Sequence, residues 1–179
     1  MKRPVVSVFI ATSLDGFIAR ENGSIDFLDC VQAPGEDYGF QAFFASVDTV
    51  VIGRNTYNTV LGFGEWPYRD KRVVVLAHAA PASRHGERFH AGKLAPLLAQ
   101  LHDEGSRRVY LDGGRTIRQG LAENLVDDMT ISTIPVLLGK GLPLFAGDVP
   151  ASTWDLTDAQ GFASGLVRCC WRQRDLPPA

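Results

Sequence analysis

The apolar positions of this chain follow two alternating rhythms. Val5 to Ala11 is an unbroken apolar run of strand length, rich in β-branched residues, as expected of a strand buried on both faces. Comparable runs recur at Thr49 to Ile52 (closed by Gly53), at Arg72 to Ala77, and at Arg107 to Leu111, which Gly113-Gly114 breaks. Between these runs the period becomes helical. Phe40, Phe43, Phe44 and Val47 share one face of a helix expected over Asp37 to Ser46. A short helix is expected from about Asn55 and Thr56. Leu94, Leu97, Leu98 and Leu101 mark another, and Ile117, Leu121 and Leu125 mark a helix over Thr116 to Leu125. A short strand is expected at Arg88 to His90. Past residue 125 the helical period is lost. Strands are expected at Asp128 to Val136, Thr153 to Asp158 and Leu166 to Arg172, with glycine turns at Leu138 to Gly141 and around Gly161 and Gly165. Residues 15–35, punctuated by Asp15-Gly16, Asn22-Gly23 and Pro34-Gly35, read as a loop.

Strands that alternate with helices and then run together predict an α/β domain. Its central sheet is mostly parallel, with helices on both faces and antiparallel strands at the C-terminal edge. No linker or repeat divides the chain, so its 179 residues are read as one domain. Composition narrows the function classes. Hydrophobic residues make up 45%, charged residues 21%, and the formal net charge is -2, so neither a nucleic-acid nor a membrane partner is expected. The apolar runs are strand-sized, far short of the roughly 20 residues that span a bilayer. The N-terminus enters the first strand without signal-peptide architecture, which gives a cytoplasmic expectation. Cys30, Cys169 and Cys170 are an odd, unspaced set that reads as reduced thiols. The four histidines do not join them at zinc-ligand spacing, so no metal is expected.

Two turns share one design. Val50-Val51-Ile52-Gly53-Arg54-Asn55-Thr56 and Tyr110-Leu111-Asp112-Gly113-Gly114-Arg115-Thr116 each run strand, glycine, cation, hydroxyl, helix. A helix N-terminus presents unpaired N–H groups and the positive end of its dipole, glycines admit close approach, and arginine adds charge-assisted bonds to phosphate. The plain alternative is a turn glycine followed by an N-capping threonine. Neither turn is a GxGxxG or Walker sequence.

These turns, together with Ala11-Thr12-Ser13-Leu14-Asp15-Gly16-Phe17-Ile18-Ala19, Leu125-Val126-Asp127-Asp128 and Ile134-Pro135-Val136-Leu137-Leu138-Gly139-Lys140-Gly141, resemble the dihydrofolate reductase-like superfamily. They resemble most closely the reductase domain of bacterial bifunctional riboflavin-biosynthesis deaminase/reductases and its stand-alone relatives. The similarity runs over residues 5–172, and no zinc-deaminase signature is present. The resemblance implies a three-layer dihydrofolate reductase-like fold, NADPH as cofactor, and a small heterocyclic substrate. In the same way it implies that Ala11, Gly16 and Ile18 wall the nicotinamide. Gly53, Arg54 and Thr56 would meet the adenosine phosphate, Leu76 and His78 the 2′-phosphate, and Gly113, Gly114, Arg115 and Thr116 the pyrophosphate. Relatives often carry serine where this chain has Ala77-His78. Such relatives often form homodimers, and the alternation of Val167, Cys169 and Trp171 against Arg168, Cys170 and Arg172 offers a sheet surface for one.

Two acids are candidates for chemistry. Asp37 stands where dihydrofolate reductases place the acid that grips the pterin; the alternative is that it complements a helix dipole. Asp15 is either catalytic or the shaper of an Asp-Gly turn. The activity implied is hydride transfer to a pyrimidine- or pteridine-like ring, as in 5-amino-6-(5-phosphoribosylamino)uracil reductase. A dihydrofolate reductase proper is the first alternative, although the segment Asn22 to Phe27 lacks that enzyme's usual Pro-Trp. A non-catalytic nucleotide- or flavin-binding protein is the second.

Overall fold

A computed structural model describes residues 2–79, 81–147 and 149–174. The chain forms, in order, β1 (Val5–Ser13), β2 (Phe17–Ala19), a 3-10 turn (Asp26–Val31), α1 (Phe40–Ser46), β3 (Thr49–Gly53), α2 (Arg54–Val60) and β4 (Arg72–Leu76). It continues with β5 (Arg88–His90), α3 (Leu94–Asp103), β6 (Arg108–Asp112), α4 (Gly114–Ala122), β7 (Asp128–Ile134), β8 (Leu142–Pro143), β9 (Trp154–Gly161) and β10 (Val167–Gln173).

Eight strands make one sheet in the order β5-β4-β3-β6-β1-β7-β10-β9. Every pair from β5 to β7 is parallel, and β7–β10 and β10–β9 are antiparallel. The expected architecture is therefore present. Alternation along the central strands divides the core. Val51, Val74, Val109 and Leu111 face α3 and α4, where they bury Leu94, Leu97, Leu98, Leu101, Ile117 and Leu121. Val50, Ile52, Val73, Val75 and Tyr110 face the other way and pack with Tyr57 and Val60 of α2 and with Phe43 and Phe44 of α1. Burying such side chains from both sheet faces is the main stabilising term, at roughly 25 cal/mol per Å² of apolar surface.

Three expectations need correction. The helix expected from Asp37 begins at Phe40, because Tyr38 and Gly39 hold φ of 55° and 86°, outside helical space. The helix expected to reach Leu125 spans Gly114–Ala122. Asn124 turns left-handed (φ 55°) and the Leu125 N–H bonds back to the Gly120 carbonyl at 2.8 Å, a closure that ends a helix. The segment expected to be loop holds β2 and the 3-10 turn. β2 pairs antiparallel with β8 as a separate ribbon. Among the described residues no helix is long and apolar enough to cross a membrane.

Candidate functional site

β3 and β6 are parallel neighbours, with Ile52 opposite Asp112, so the helices that follow them, α2 and α4, start side by side at the carboxyl ends of the strands. In open α/β sheets this is where ligands bind. The two glycine turns interlock. A side chain at Gly53 would stand 2.8 Å from Thr116 Oγ1, and one at Gly113 would strike Thr56 Oγ1. Gly113 also holds φ 93° and ψ 130°, a conformation open in practice to glycine alone. Each turn's threonine thus occupies the space that the other turn's glycine leaves. A third segment joins them, because a side chain at Gly114 would strike Ile18 of β2.

Neither helix N-terminus is closed by a side-chain cap, and neither carries an acid in its first turn. The threonines expected as possible caps are packed into the neighbouring turn instead, Thr116 being buried. The leading N–H groups of α4 remain oriented for an anion, with α2 beside them. This donor set fits a diphosphate. At the first turn, Gly53 and Leu76 are opposite in register, and Arg54 Nη1 donates to the Ala79 carbonyl at 3.1 Å, which ties α2 to the segment that carries the exposed His78. Arg115 is exposed at the start of α4.

The other expected residues lie apart from this junction. Gly16 (φ 82°) turns the chain between β1 and β2, and its carbonyl accepts the Leu144 N–H at 2.9 Å. Ala11 packs on the α1 side of the sheet, in a cluster with Tyr38, Phe27, Val31 and Ile134. Asp15 accepts hydrogen bonds from Ser13 Oγ (2.5 Å), Leu138 N (3.1 Å) and Gly139 N (2.7 Å), tying the β1–β2 turn to the turn before β8. The Ser13 hydroxyl, then those two backbone N–H groups, hold its carboxyl below the usual range. Asp37 accepts from Gln41 N (2.7 Å) and Gly39 N (3.1 Å), bonds that close the first turn of α1. They hold its carboxyl below the usual range too, with the Arg168 charge adding a smaller pull. Asp37 is partly exposed and precedes Tyr38, whose ring meets Phe162 edge-on at 4.9 Å.

One acid at the junction did not stand out in the sequence. Asp112 ends β6, immediately before Gly113, on the sheet face shared with Tyr110. Its Oδ1 accepts the Gly113 N–H at 2.7 Å and its Oδ2 accepts the Tyr68 O–H at 3.4 Å. Tyr68 and Tyr110 are each 5% exposed. Burial pushes the Asp112 carboxyl above the ordinary carboxylate range, against the opposing pull of Gly113, Tyr68 and Tyr110. The available signal was an acid at the end of an otherwise apolar strand. A cavity of about 780 Å³ lies at the opposite end of the sheet. It is lined by Arg3, Arg108, Asp127 and Asp128, which pair with one another as Arg3–Asp127 and Arg108–Asp128.

Comparison with known proteins places this geometry. The chain is 39% identical over 150 residues to the uncharacterized protein YwjB of Bacillus subtilis, covering 81% of this chain and 84% of that one. It superposes with TM-score 0.89 on a Shewanella sp. PV-4 protein assigned provisionally to riboflavin biosynthesis, at 37% identity, covering 95% of this chain and 99% of that one. A dihydrofolate reductase from Enterococcus faecalis, solved with NADP(H), shares the fold (TM-score 0.66, 14% identity, 96% and 97% covered). Residues 4–168 match the RibD C-terminal domain, and the chain belongs to that family.

Proposed function

We propose that this protein is an NADPH-dependent reductase that delivers hydride to a C=N or C=O bond of a pyrimidine- or pteridine-like heterocycle, in the manner of 5-amino-6-(5-phosphoribosylamino)uracil reductase. The observation that carries the reading is the junction of two uncapped helix N-termini at the ends of neighbouring parallel strands, in a chain of the RibD C-terminal domain family. Gly114, Arg115 and Thr116 would hold the pyrophosphate through their N–H groups. Arg54, with His78 beside it, would meet the adenosine phosphate, and Ile18 would lie against the cofactor where it passes Gly114. When bound, the nicotinamide supplies the hydride, and the protein orients both rings and excludes water. The α1 side of the sheet, with Ala11, Asp37 and Tyr38, receives the heterocycle, where the outward lone pairs of Asp37 can accept its ring N–H groups. The bound structure of the Enterococcus faecalis enzyme supports the cofactor class, since the two proteins share the fold.

The test is thermal melting with NADPH, NADH, FMN or no ligand. NADPH at about 100 times its dissociation constant should stabilise the protein by about 2.7 kcal/mol, a rise of several degrees. Arg54→Ala should diminish the rise and Gly114→Asp should abolish it, because a carboxylate at the start of α4 repels phosphate. Oxidation of NADPH in the presence of the heterocycle distinguishes a catalyst from a binder. A melt that responds to FMN alone would transfer the reading to a flavin-binding protein.

A further inference from the structure

Resting on the reductase reading, we propose that Arg168 of β10 is the positioning residue that aims the Asp37 carboxylate at the heterocycle.

Strand pairing puts Arg168 on the side of the sheet that receives the ring. It lies opposite Ser132 of β7, and Ser132 lies opposite Ala11 of β1. Residues directly opposite one another share a face, so Arg168 and Ala11 share the α1 side of the sheet. The Arg168 side chain is 17% exposed, and its far end is held. Nη2 donates to Gln160 Oε1 at 2.8 Å and to Asp158 Oδ2 at 3.2 Å, both on β9, and the guanidinium lies 5.7 Å from the centre of the Phe162 ring. Nη1 reaches across to the approach to α1, where it donates to the Tyr38 carbonyl at 3.0 Å.

That carbonyl belongs to the peptide unit whose N–H serves Asp37. Gly39 N donates to Asp37 Oδ1 at 3.1 Å, while Gln41 N donates to Oδ2 at 2.7 Å. A trans peptide is planar, with its C=O and N–H on opposite edges, so a guanidinium fixed on one edge fixes the direction of the other. A charge-assisted bond at the carbonyl also polarises the amide and strengthens the bond that its N–H makes. Arg168, the peptide between Tyr38 and Gly39, and Asp37 thus form one chain of hydrogen bonds. The backbone there is shaped to admit it. A side chain at Gly39 would strike Arg168 Nη1. Tyr38 holds φ 55°, a left-handed conformation that an aromatic residue seldom adopts and that persists only where its surroundings enforce it. Those surroundings are specific. The Tyr38 N–H bonds to Glu36 Oε1 at 2.8 Å, its hydroxyl bonds to the Val31 carbonyl and to Ser164 Oγ, and its carbonyl takes Arg168. The Gln41 and Gly39 N–H groups, with a smaller pull from the Arg168 charge, keep the Asp37 carboxyl below the usual range, so it presents acceptors to ring N–H groups. Both Nη nitrogens of Arg168 are engaged within the protein, so it acts through Asp37 rather than on the ring.

The experiment uses the whole chain in four forms: wild type, Arg168→Gln, Asp37→Asn and the double variant. NADPH is the reductant, and 5-amino-6-(5-phosphoribosylamino)uracil, dihydrofolate and a simple oxidised pteridine are the test substrates. Arg168→Gln should keep the NADPH-induced melting shift and the KM for NADPH, and should lose about 10- to 100-fold in kcat/KM for the heterocycle. In the Asp37→Asn background the same substitution should cost nothing further, because it acts through a group already removed. Losses that multiply would mean that Arg168 works by another route, and they overturn the proposal. Gly39→Ala disturbs the same contact without changing β10 and should reproduce the selective loss. Independently of turnover, amide hydrogen exchange in the ligand-free protein should be faster at Gly39 in Arg168→Gln, with the amides of β1 and β7 unchanged. An unchanged Gly39 amide overturns the proposal and leaves the reductase reading intact. A wild-type protein with neither an NADPH shift nor turnover overturns the reductase reading, and with it the role of Arg168, even where the Gly39 amide responds.

Discussion

Glu87 is 4% exposed, yet its carboxylate is fully engaged. It accepts from Tyr57 Oη (2.5 Å), Ser83 Oγ (3.1 Å), Arg84 N (2.9 Å) and His85 N (2.7 Å), anchoring the segment before β5 to α2. Burial alone would raise this acid, but the Tyr57 hydroxyl and the backbone N–H groups outweigh it and lower it to about 2. A folded value below the unfolded one means that the stabilisation is complete above about pH 4.5 and is lost as pH falls toward 2. The size follows from the shift, up to about 3 kcal/mol at 1.36 kcal/mol per unit. Glu87→Gln should therefore destabilise the protein at pH 7 and flatten the acid limb of a urea-unfolding series against pH. An unchanged acid limb would remove Glu87 from the account. Gly113 makes a second residue-level case. Gly113→Ala should cost about 1–3 kcal/mol from its backbone conformation, besides the clash with Thr56. Adding Thr56→Ala should recover the clash but not the backbone strain, and denaturant midpoints of the two single variants and the double variant separate the two contributions.

At the scale of elements, Asp15 joins pieces that lie 123 and 124 residues away along the chain. Its bonds to Leu138 and Gly139, with the β2–β8 pairing and the Arg118 Nη1 bond to the Pro143 carbonyl at 2.7 Å, fix the ribbon that brings Ile18 to Gly114. Asp15→Ala should speed hydrogen exchange at Leu138, Gly139 and Leu144 while leaving amides of β3 and β6 protected, a local opening rather than global unfolding. Equal protection in both proteins would show that the ribbon holds without it. The same contacts explain what could be read beforehand. Central strands were legible because burial on both faces demands continuous apolar runs, and the glycine turns because phosphate binding and tight turns need the same residue. β2 was hidden because its partner is Leu142–Pro143, and nothing local in Phe17–Ala19 marks it as a strand. The start of α1 was misplaced because Asp37 signals a cap while Tyr38 and Gly39 bend the chain first. The interlocking of Thr56 and Thr116 and the burial of Asp112 under Tyr68 depend on strand order, which the periodicity does not carry.

The whole molecule has two unequal sheet edges. β5 is three residues long, a short edge of the kind that resists further pairing. β9 is eight residues long and exposed along nearly its whole length, with Leu156 at 53% and Val167 of the adjoining β10 at 44%. Its partner strand is not free on both faces, because Trp171 packs, with Trp154, against the α3–α4 core. The alternating surface expected on β10 is thus reduced to the β9–β10 ribbon and the face that carries Arg168 and Cys170. A long edge strand that stays soluble is normally covered or charged, and Asp155 and Asp158 supply charge along β9 while engaged by Arg174 and Arg168. The uncovered leucine and valine favour a second copy of the chain as the cover, and a stable pair would bury about 800 Å² on each protomer. Sedimentation at micromolar concentration should then give twice the mass of the 19.5 kDa chain. Leu156→Asp should halve that mass without lowering the NADPH-induced melting shift, since the glycine turns proposed to hold the cofactor lie at the ends of β3 and β6, four strands away in the sheet or more. A wild-type protein that sediments as a monomer would mean that Asp155 and Asp158 guard this edge alone, and Leu156→Asp would then leave mass and stability unchanged.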